Sequence, residues 1–371
     1  MKKLFVIAAF LLTLTMSVFA EGNYERIDIK VGQSLNSGNK LELESKDNLE
    51  IYTSDFQPLQ KTGNKKIKVE FKNNEINLYG NNYAMKKFPK DGTFVIYSKS
   101  PIKVSSVKRS YRGAISFRVN DNKLDIINNI DMDNYLRGVL PKEMSPSFPK
   151  ESLKAQALCS RSFAINNYNK YSKKGYNLDD TTNSQVYRGV EVEDKRTDKA
   201  IEETKGEIVT FNGKVAETIF GASSGGYTAS AKDVWGSDIP YLVSVEDNFS
   251  TYNWEYTLTP QNFSKLGVKD VNNIVITSKD SSNRVKEVKV LSNSGEKVLT
   301  GNKFRSLVGN TSVKSTLFDI EKSGENILIK GRGYGHGVGM SQYGAVEMAK
   351  QGKVYKDIIG FYFPGTVIEK N

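Results

Sequence analysis

Glu143 closes the run Asp131-Met-Asp-Asn-Tyr-Leu-Arg-Gly-Val-Leu-Pro-Lys-Glu, between the chain-stiffening Pro141 and the apolar Met144. An extended segment there gives way to a long helix, and a carboxyl at that junction is the first candidate for chemistry. The helix is read from Pro149, suited to a first helical position, through Glu151 near its positive end, to Gly175 after Lys173 and Lys174. At about 100° per residue, Leu153, Ala157, Ala164 and Tyr168 share a stripe, and Arg161 falls within it. A guanidinium facing inward needs a partner, because a charge leaving water is unfavourable unless paired. A carboxylate one loop away would serve; the plainer reading of Arg161 is a snorkelling side chain or a structural ion pair.

The elements that must hold these groups fall into two kinds. From residue 21 to about residue 100 the pattern has period two, as in Arg26-Ile-Asp-Ile-Lys-Val and Ile67-Lys-Val-Glu-Phe, punctuated by turns such as Asn36-Ser-Gly. Short strands follow from that alternation. More strands lead from Ile102 into the central stretch, and no Pro-, Gly- or Ser-rich linker marks a boundary near residue 100. The chain thus divides into residues 1–20, a leader; 21–100, a β-rich accessory region; and 101–371, a mixed α/β domain that carries the candidate Glu143. The fold class is α+β, with a long central helix and a Gly-rich C-terminal loop-helix.

Residues 1–20 carry Lys2 and Lys3, an apolar run and Val18-Phe19-Ala20, the pattern of a signal peptide, so the mature chain is expected outside the cytoplasm. Removing the leader takes the formal charge from +11 to +9. A basic exported protein suits an anionic envelope polymer or lipid headgroups, and nucleic acid is not expected as a partner. With one cysteine, Cys159, no intramolecular disulfide forms, and with one histidine, His336, no clustered Cys/His metal site is expected.

After the helix, Asp179-Asp-Thr-Thr-Asn-Ser-Gln-Val-Tyr-Arg-Gly ends with Gln185 and Tyr187 on one face of an expected strand. Amides and phenols there suit sugars, and equally suit ordinary surface. Asp198 to Lys205 reads as a short helix, and Asn212-Gly213 as a type I′ hairpin turn. The strand after it runs into Gly221-Ala-Ser-Ser-Gly-Gly, whose glycines are expected to leave Ser223 and Ser224 accessible. Trp235 follows, in the core or stacked on a sugar. Residues Asn253 to Lys330 read as a smaller α/β segment. Then comes Gly331-Arg-Gly-Tyr-Gly-His-Gly-Val-Gly-Met-Ser-Gln-Tyr-Gly-Ala, whose alternate glycines imply close backbone approach. It lacks the Gly-Lys-Ser/Thr of a phosphate-binding loop, so no nucleotide is expected. Ser341 caps a helix from Gln342 to Lys350, and a last helix spans Tyr355 to Tyr362.

A Cys159–His336 nucleophile pair is disfavoured because Cys159 lies mid-helix among apolar residues. A Ser-His-acid triad lacks the Gly-x-Ser-x-Gly elbow.

Five ordered motifs in residues 100–371 carry a family resemblance: Tyr135-Leu-Arg-Gly-Val-Leu-Pro-Lys-Glu-Met with Leu153-Lys-Ala-Gln-Ala, then Thr181-Thr-Asn-Ser-Gln-Val-Tyr-Arg-Gly, Ala222-Ser-Ser-Gly-Gly, Val234-Trp-Gly and Gly333 to Ala345. Together they resemble stage II sporulation protein D and the related amidase-enhancer proteins. The resemblance implies a peptidoglycan lytic transglycosylase that cuts between N-acetylmuramic acid and N-acetylglucosamine and leaves a 1,6-anhydro end. It puts the catalytic Glu on Glu143, as acid and then base, in a setting where Leu140, Met144 and Phe148 would raise its pKa. Lys142 is then expected to point away and Arg161 to orient Glu143 or bind substrate. Gln185, Tyr187, Ser223, Ser224, His336 and Gln342 would surround the glycan. Some members carry Cys and His implicated in zinc binding where this chain has Thr182-Asn183-Ser184 and Phe220-Gly221-Ala222, so no metal or other cofactor is expected. Peptidoglycan glycan strands are the implied partner, with a cell-wall amidase as a second. The alternative is a glycan-binding accessory protein that stimulates such an amidase without turnover.

Overall fold

The computed structural model describes residues 24–80 and 83–370, so the expected signal peptide lies outside the described residues. Its architecture is α+β. The largest sheet starts from Arg26–Lys30, where Ile27 and Ile29 point inward and the alternate residues stay partly exposed, as period two requires. That strand lies antiparallel to Lys123–Asp131, with Ile27 opposite Ile130. The sheet continues through Ala114–Asn120, Phe94–Tyr97, Lys40–Thr53, Pro58–Lys72, Glu75–Gly80 and Tyr83–Pro89. Strands on both sides of residue 100 therefore share one sheet, and a single hydrophobic core runs from Ile27 to Ile208.

Seven helices are described: α1 (Met132–Glu143), α2 (Lys150–Asn166), α3 (Lys195–Glu203), α4 (Ala231–Trp235), α5 (Gly301–Val308), α6 (Gln342–Lys350) and α7 (Tyr355–Tyr362). The pivotal one is α2. Its Ala157, Ala164 and Ile165 pack on the sheet and α1, while Ala155, Leu158 and Cys159 pack on α6 and α7. Buried on both sides, it needs small residues where helices approach closely, and Ala155, Ala157 and Ala164 supply them. It stops at Asn166, earlier than Gly175. Asn167 turns its amide back onto the Phe163 carbonyl at 3.0 Å, a side-chain bond that competes with continued helix. Gly175, with φ +79°, instead closes a separate 3₁₀ turn at Ser172–Lys174.

The hairpin at Asn212-Gly213 forms with positive φ at both residues. Asn253–Leu258, Asn326–Arg332 and Phe318–Ser323 make one small sheet, and Val271–Lys279, Val285–Ser292 and Gly295–Thr300 another. With α5 they enclose their own core around Trp254, Phe304 and Phe318, so this segment is an insert between two parts of the principal body. Among the described residues, no helix is long and apolar enough to cross a membrane.

Candidate active site

The site begins with a helix that the sequence reading took for extended chain. Asp131 ends its strand and caps α1, its carboxylate accepting from the Asn134 N–H at 3.0 Å. Pro141 removes one helical hydrogen bond near the other end, and α1 stops two residues later, with Met144 extended. Glu143 is the last helical residue. Lys142 is exposed, whereas Leu140 and Met144 are buried and Phe148 packs beside Met144.

Burial pushes the Glu143 carboxyl above its ordinary pKa, and a hydrogen bond from the Val186 N–H partly offsets this. The helix C-terminus adds its own negative pole, which also favours the protonated form.

A ladder of buried amides and hydroxyls holds this corner. Gln342 Nε2 donates to the Glu143 carbonyl at 3.1 Å and to Gln156 Oε1 at 3.2 Å. Gln156 Nε2 reaches Ser160 Oγ at 3.2 Å, and Gln185 Nε2 reaches the Ser160 carbonyl at 3.3 Å. Tyr135 Oη then donates to Gln185 Oε1 at 3.2 Å. Gln185 immediately precedes Val186, so the ladder fixes the N–H that faces Glu143. Gln156, Ser160 and Tyr135 were not singled out from the sequence. Gln156 and Ser160, polar residues four apart in an apolar helix and hence on one face, were the available signal.

Four expectations need correction. First, Gln185 and Tyr187 lie on no strand. They sit in an irregular stretch and are 2% and 1% exposed; Tyr187 donates to Asn128 Oδ1 at 2.8 Å. Second, Arg161 does not reach Glu143. It is buried, pairs with Asp133 at 3.2 Å and donates to the Glu207 carbonyl at 3.0 Å. Asp133 and Glu143 are ten residues apart on α1, about 15 Å along the axis.

Third, Ser223 and Ser224 are buried rather than accessible. Ser223 Oγ bonds Ser250 Oγ at 2.8 Å, and Ser224 Oγ donates to Asp247 Oδ2 at 2.7 Å. Tyr362 Oη donates to the same carboxylate oxygen at 3.0 Å. The reason is close approach of two glycine-rich loops: a Cβ on Gly225 would stand 2.5 Å from the Gly333 nitrogen. Fourth, Trp235 is no core residue but is 50% exposed, its ring 5.2 Å from that of His336.

His336 Nδ1 accepts from the Val338 N–H at 3.0 Å, and the ring also bonds the Phe220 backbone. Burial, with Arg305 and Arg284 nearby, lowers its pKa to about 4, so the imidazole is neutral at pH 7. Cys159 lies buried against Met340, where burial pushes its thiol up and leaves it unsuited to nucleophilic attack. Among the described residues, no group of three or more His, Cys, Asp or Glu is placed to hold a metal.

A half-buried carboxyl thus ends α1, and the Glu143 carbonyl is held by a glutamine that follows the glycine-rich loop. A family model described as stage II sporulation protein matches residues 120–211, and one described as a domain of unknown function matches residues 257–339, within the insert and the loop after it. Stage II sporulation protein D of Bacillus subtilis is 36% identical over 267 residues, covering 66% of this chain and 76% of that protein. An uncharacterized protein of Brachyspira hyodysenteriae is 35% identical over 270 residues, 70% of this chain and 72% of that one. The amidase enhancer of Bacillus subtilis is 31% identical over 288 residues, 63% of this chain but 40% of the enhancer. The chain belongs to the stage II sporulation protein D family.

Proposed function

We propose that this protein acts in cell-wall processing as a peptidoglycan lytic transglycosylase, with Glu143 its single acid/base. The observation that carries the reading is the Glu143 carboxyl itself, at the end of α1 between the buried Leu140 and Met144 and raised in pKa by loss of water. A protonated Glu143 gives its proton to the glycosidic oxygen as the bond to the muramoyl C1 breaks. The muramoyl 6-hydroxyl oxygen bonds to C1, and the Glu143 carboxylate takes the proton that leaves it. The nucleophile belongs to the substrate, so the second carboxylate of ordinary glycoside hydrolases is not needed. Residues 101–371 contain every group named in this step. Work outside the cytoplasm, after removal of the leader, and a basic surface fit an anionic wall polymer.

A second reading is supported by the amidase enhancer relative and by the burial of Gln185, Tyr187, Ser223 and Ser224: a glycan-binding accessory that stimulates a cell-wall amidase. Product analysis separates them. Mature protein and Glu143→Gln are incubated with glycan strands that carry or lack stem peptides, and mass spectrometry looks for anhydro-muramoyl ends. Wild type is expected to produce them and Glu143→Gln to lose roughly 10²–10⁴ in rate. Glycan binding by both proteins with no anhydro ends from either would sink the enzyme reading.

A further inference from the structure

Beside the residue that clamps Glu143 lies a patch that the proposed chemistry does not use. Tyr343 directly follows Gln342 on α6, and its ring is 44% exposed. It lies parallel to the ring of Tyr252, with planes within 3° and centroids 6.0 Å apart. Tyr334, in the glycine-rich loop, meets Tyr252 at 6.1 Å. Lys314 Nζ donates to Tyr252 Oη at 2.9 Å and stands 4.9 Å and 5.8 Å from the Tyr252 and Tyr334 centroids. The four residues come from three segments: the edge and interior of the insert, the glycine-rich loop, and α6.

Among the described residues, Lys314, Arg305 and Arg332 have no carboxylate within 4.0 Å, unlike Lys279, which pairs with Asp319 at 2.6 Å, and Lys289, which pairs with Glu296 at 2.9 Å. Arg305 spends its Nε on the Val313 carbonyl at 3.0 Å, and Arg332 is exposed. An exposed Tyr343 ring parallel to a half-buried Tyr252, beside unpaired cations, forms a surface with apolar faces, phenolic donors and positive potential together. A pyranose offers the matching chemistry: a C–H face for the rings and hydroxyls for the phenols. A carboxylate on that sugar would complete the match, since charge-assisted hydrogen bonds to an ammonium are the stronger kind.

We propose that Tyr252, Tyr334, Tyr343 and Lys314 form a second glycan subsite that holds a sugar ring with a carboxylate-bearing substituent. This rests on the reading of the Glu143 corner as a glycan site. Consecutive Cα atoms lie about 3.8 Å apart, so Tyr343 starts close to the Gln342 whose amide holds the Glu143 carbonyl, and both sites start from the first turn of α6. The carboxylate is the lactyl group of a stripped strand or the carboxyl of a stem peptide. Half of the subsite belongs to the insert, which gives that segment a role in substrate selection.

The test measures binding by calorimetry in the Glu143→Gln background, with three probes: stripped glycan strands, strands with stem peptides, and chito-oligosaccharide, which lacks carboxylates. Tyr252→Ala and Tyr343→Ala are expected to weaken all three roughly tenfold. Lys314→Met is expected to weaken only the carboxylate-bearing probes, and the strand more affected identifies the carboxylate. Should Tyr252→Ala unfold the insert, the exposed Tyr343 carries the test. Unchanged affinity for all probes, with anhydro ends still formed by the unaltered protein, would overturn the subsite and leave the chemistry standing. Lost binding in the tyrosine variants, with no anhydro ends from the unaltered protein, would do the reverse. An unaltered protein that binds none of the probes removes both.

Discussion

Glu143 and His336 are shifted in opposite directions by the same cause, loss of water, and their pH dependences follow. For Glu143 the folded chain favours the protonated form. Its contribution to stability is therefore full below the ordinary carboxylate value and is lost as pH rises through the raised one. Turnover that needs the protonated acid should decline over the same window. Glu143→Gln, neutral throughout, should resist urea better than wild type above that window; equal midpoints at every pH would contradict a shielded carboxyl. For His336 the folded value of about 4 lies below the ordinary 6.5, so stability falls as pH drops from 6.5 to 4, by up to about 3 kcal/mol. His336→Gln should narrow the gap between urea midpoints at pH 7 and pH 4.5. The sequence put Glu143 where an extended segment meets a helix, whereas it ends one helix just before the next, and it misassigned Arg161. Helical periodicity gives the side of α2 on which Arg161 lies, and says nothing about which of two carboxylates on α1 stands at its height. Ser223 and Ser224 were misjudged because glycine was taken to open a loop, when here it lets two backbones close over the hydroxyls.

Among the elements, α1 was the least visible in sequence, because Gly138 and Pro141 both argue against helix. Packing explains the glycine. A Cβ on Gly138 would lie 2.4 Å from Tyr187 Cε2 and 3.1 Å from the Gly189 nitrogen, so only hydrogen lets the 185–189 segment lie flat on α1. That contact sets the Val186 N–H against Glu143. Gly138→Ala should thus destabilise the protein by about 1–3 kcal/mol despite the better helix propensity of alanine. A calorimetric melt would show it, and a gain in stability would mean the contact is slack. The α6 and α7 helices were legible to the residue because each carries its own signals, a Ser341 cap in one and a following Pro364-Gly365 in the other. The end of α2 was not, since Asn167 stops it through a side chain that reaches back to the Phe163 carbonyl.

At the scale of the molecule, period two revealed the strands before residue 100 but not their partners. Sheet order depends on contacts far apart in sequence, such as Arg26 against Asp131. The insert is anchored in a similar long-range way. Arg284, almost fully buried, donates to the Ser224 carbonyl at 2.7 Å and to Ser282 Oγ at 2.9 Å, and a Cβ on Gly337 would collide with its guanidinium. Arg284→Met leaves the Ser224 carbonyl without that donor and should cost about 1–3 kcal/mol. Hydrogen exchange should report the loss first in residues 222–226 and 333–339; uniform exchange across the chain would argue against a local anchor. The parallel pairing of Phe220–Gly221 with Met340–Ser341 has a further consequence for the order of events during synthesis. Glu143 leaves the ribosome well before Gln342, whose amide holds the Glu143 carbonyl. A polypeptide released before Ser341 would own its acid and lack the grip. On this arrangement the Glu143 corner closes only after two stretches of chain about 200 residues apart have both been made.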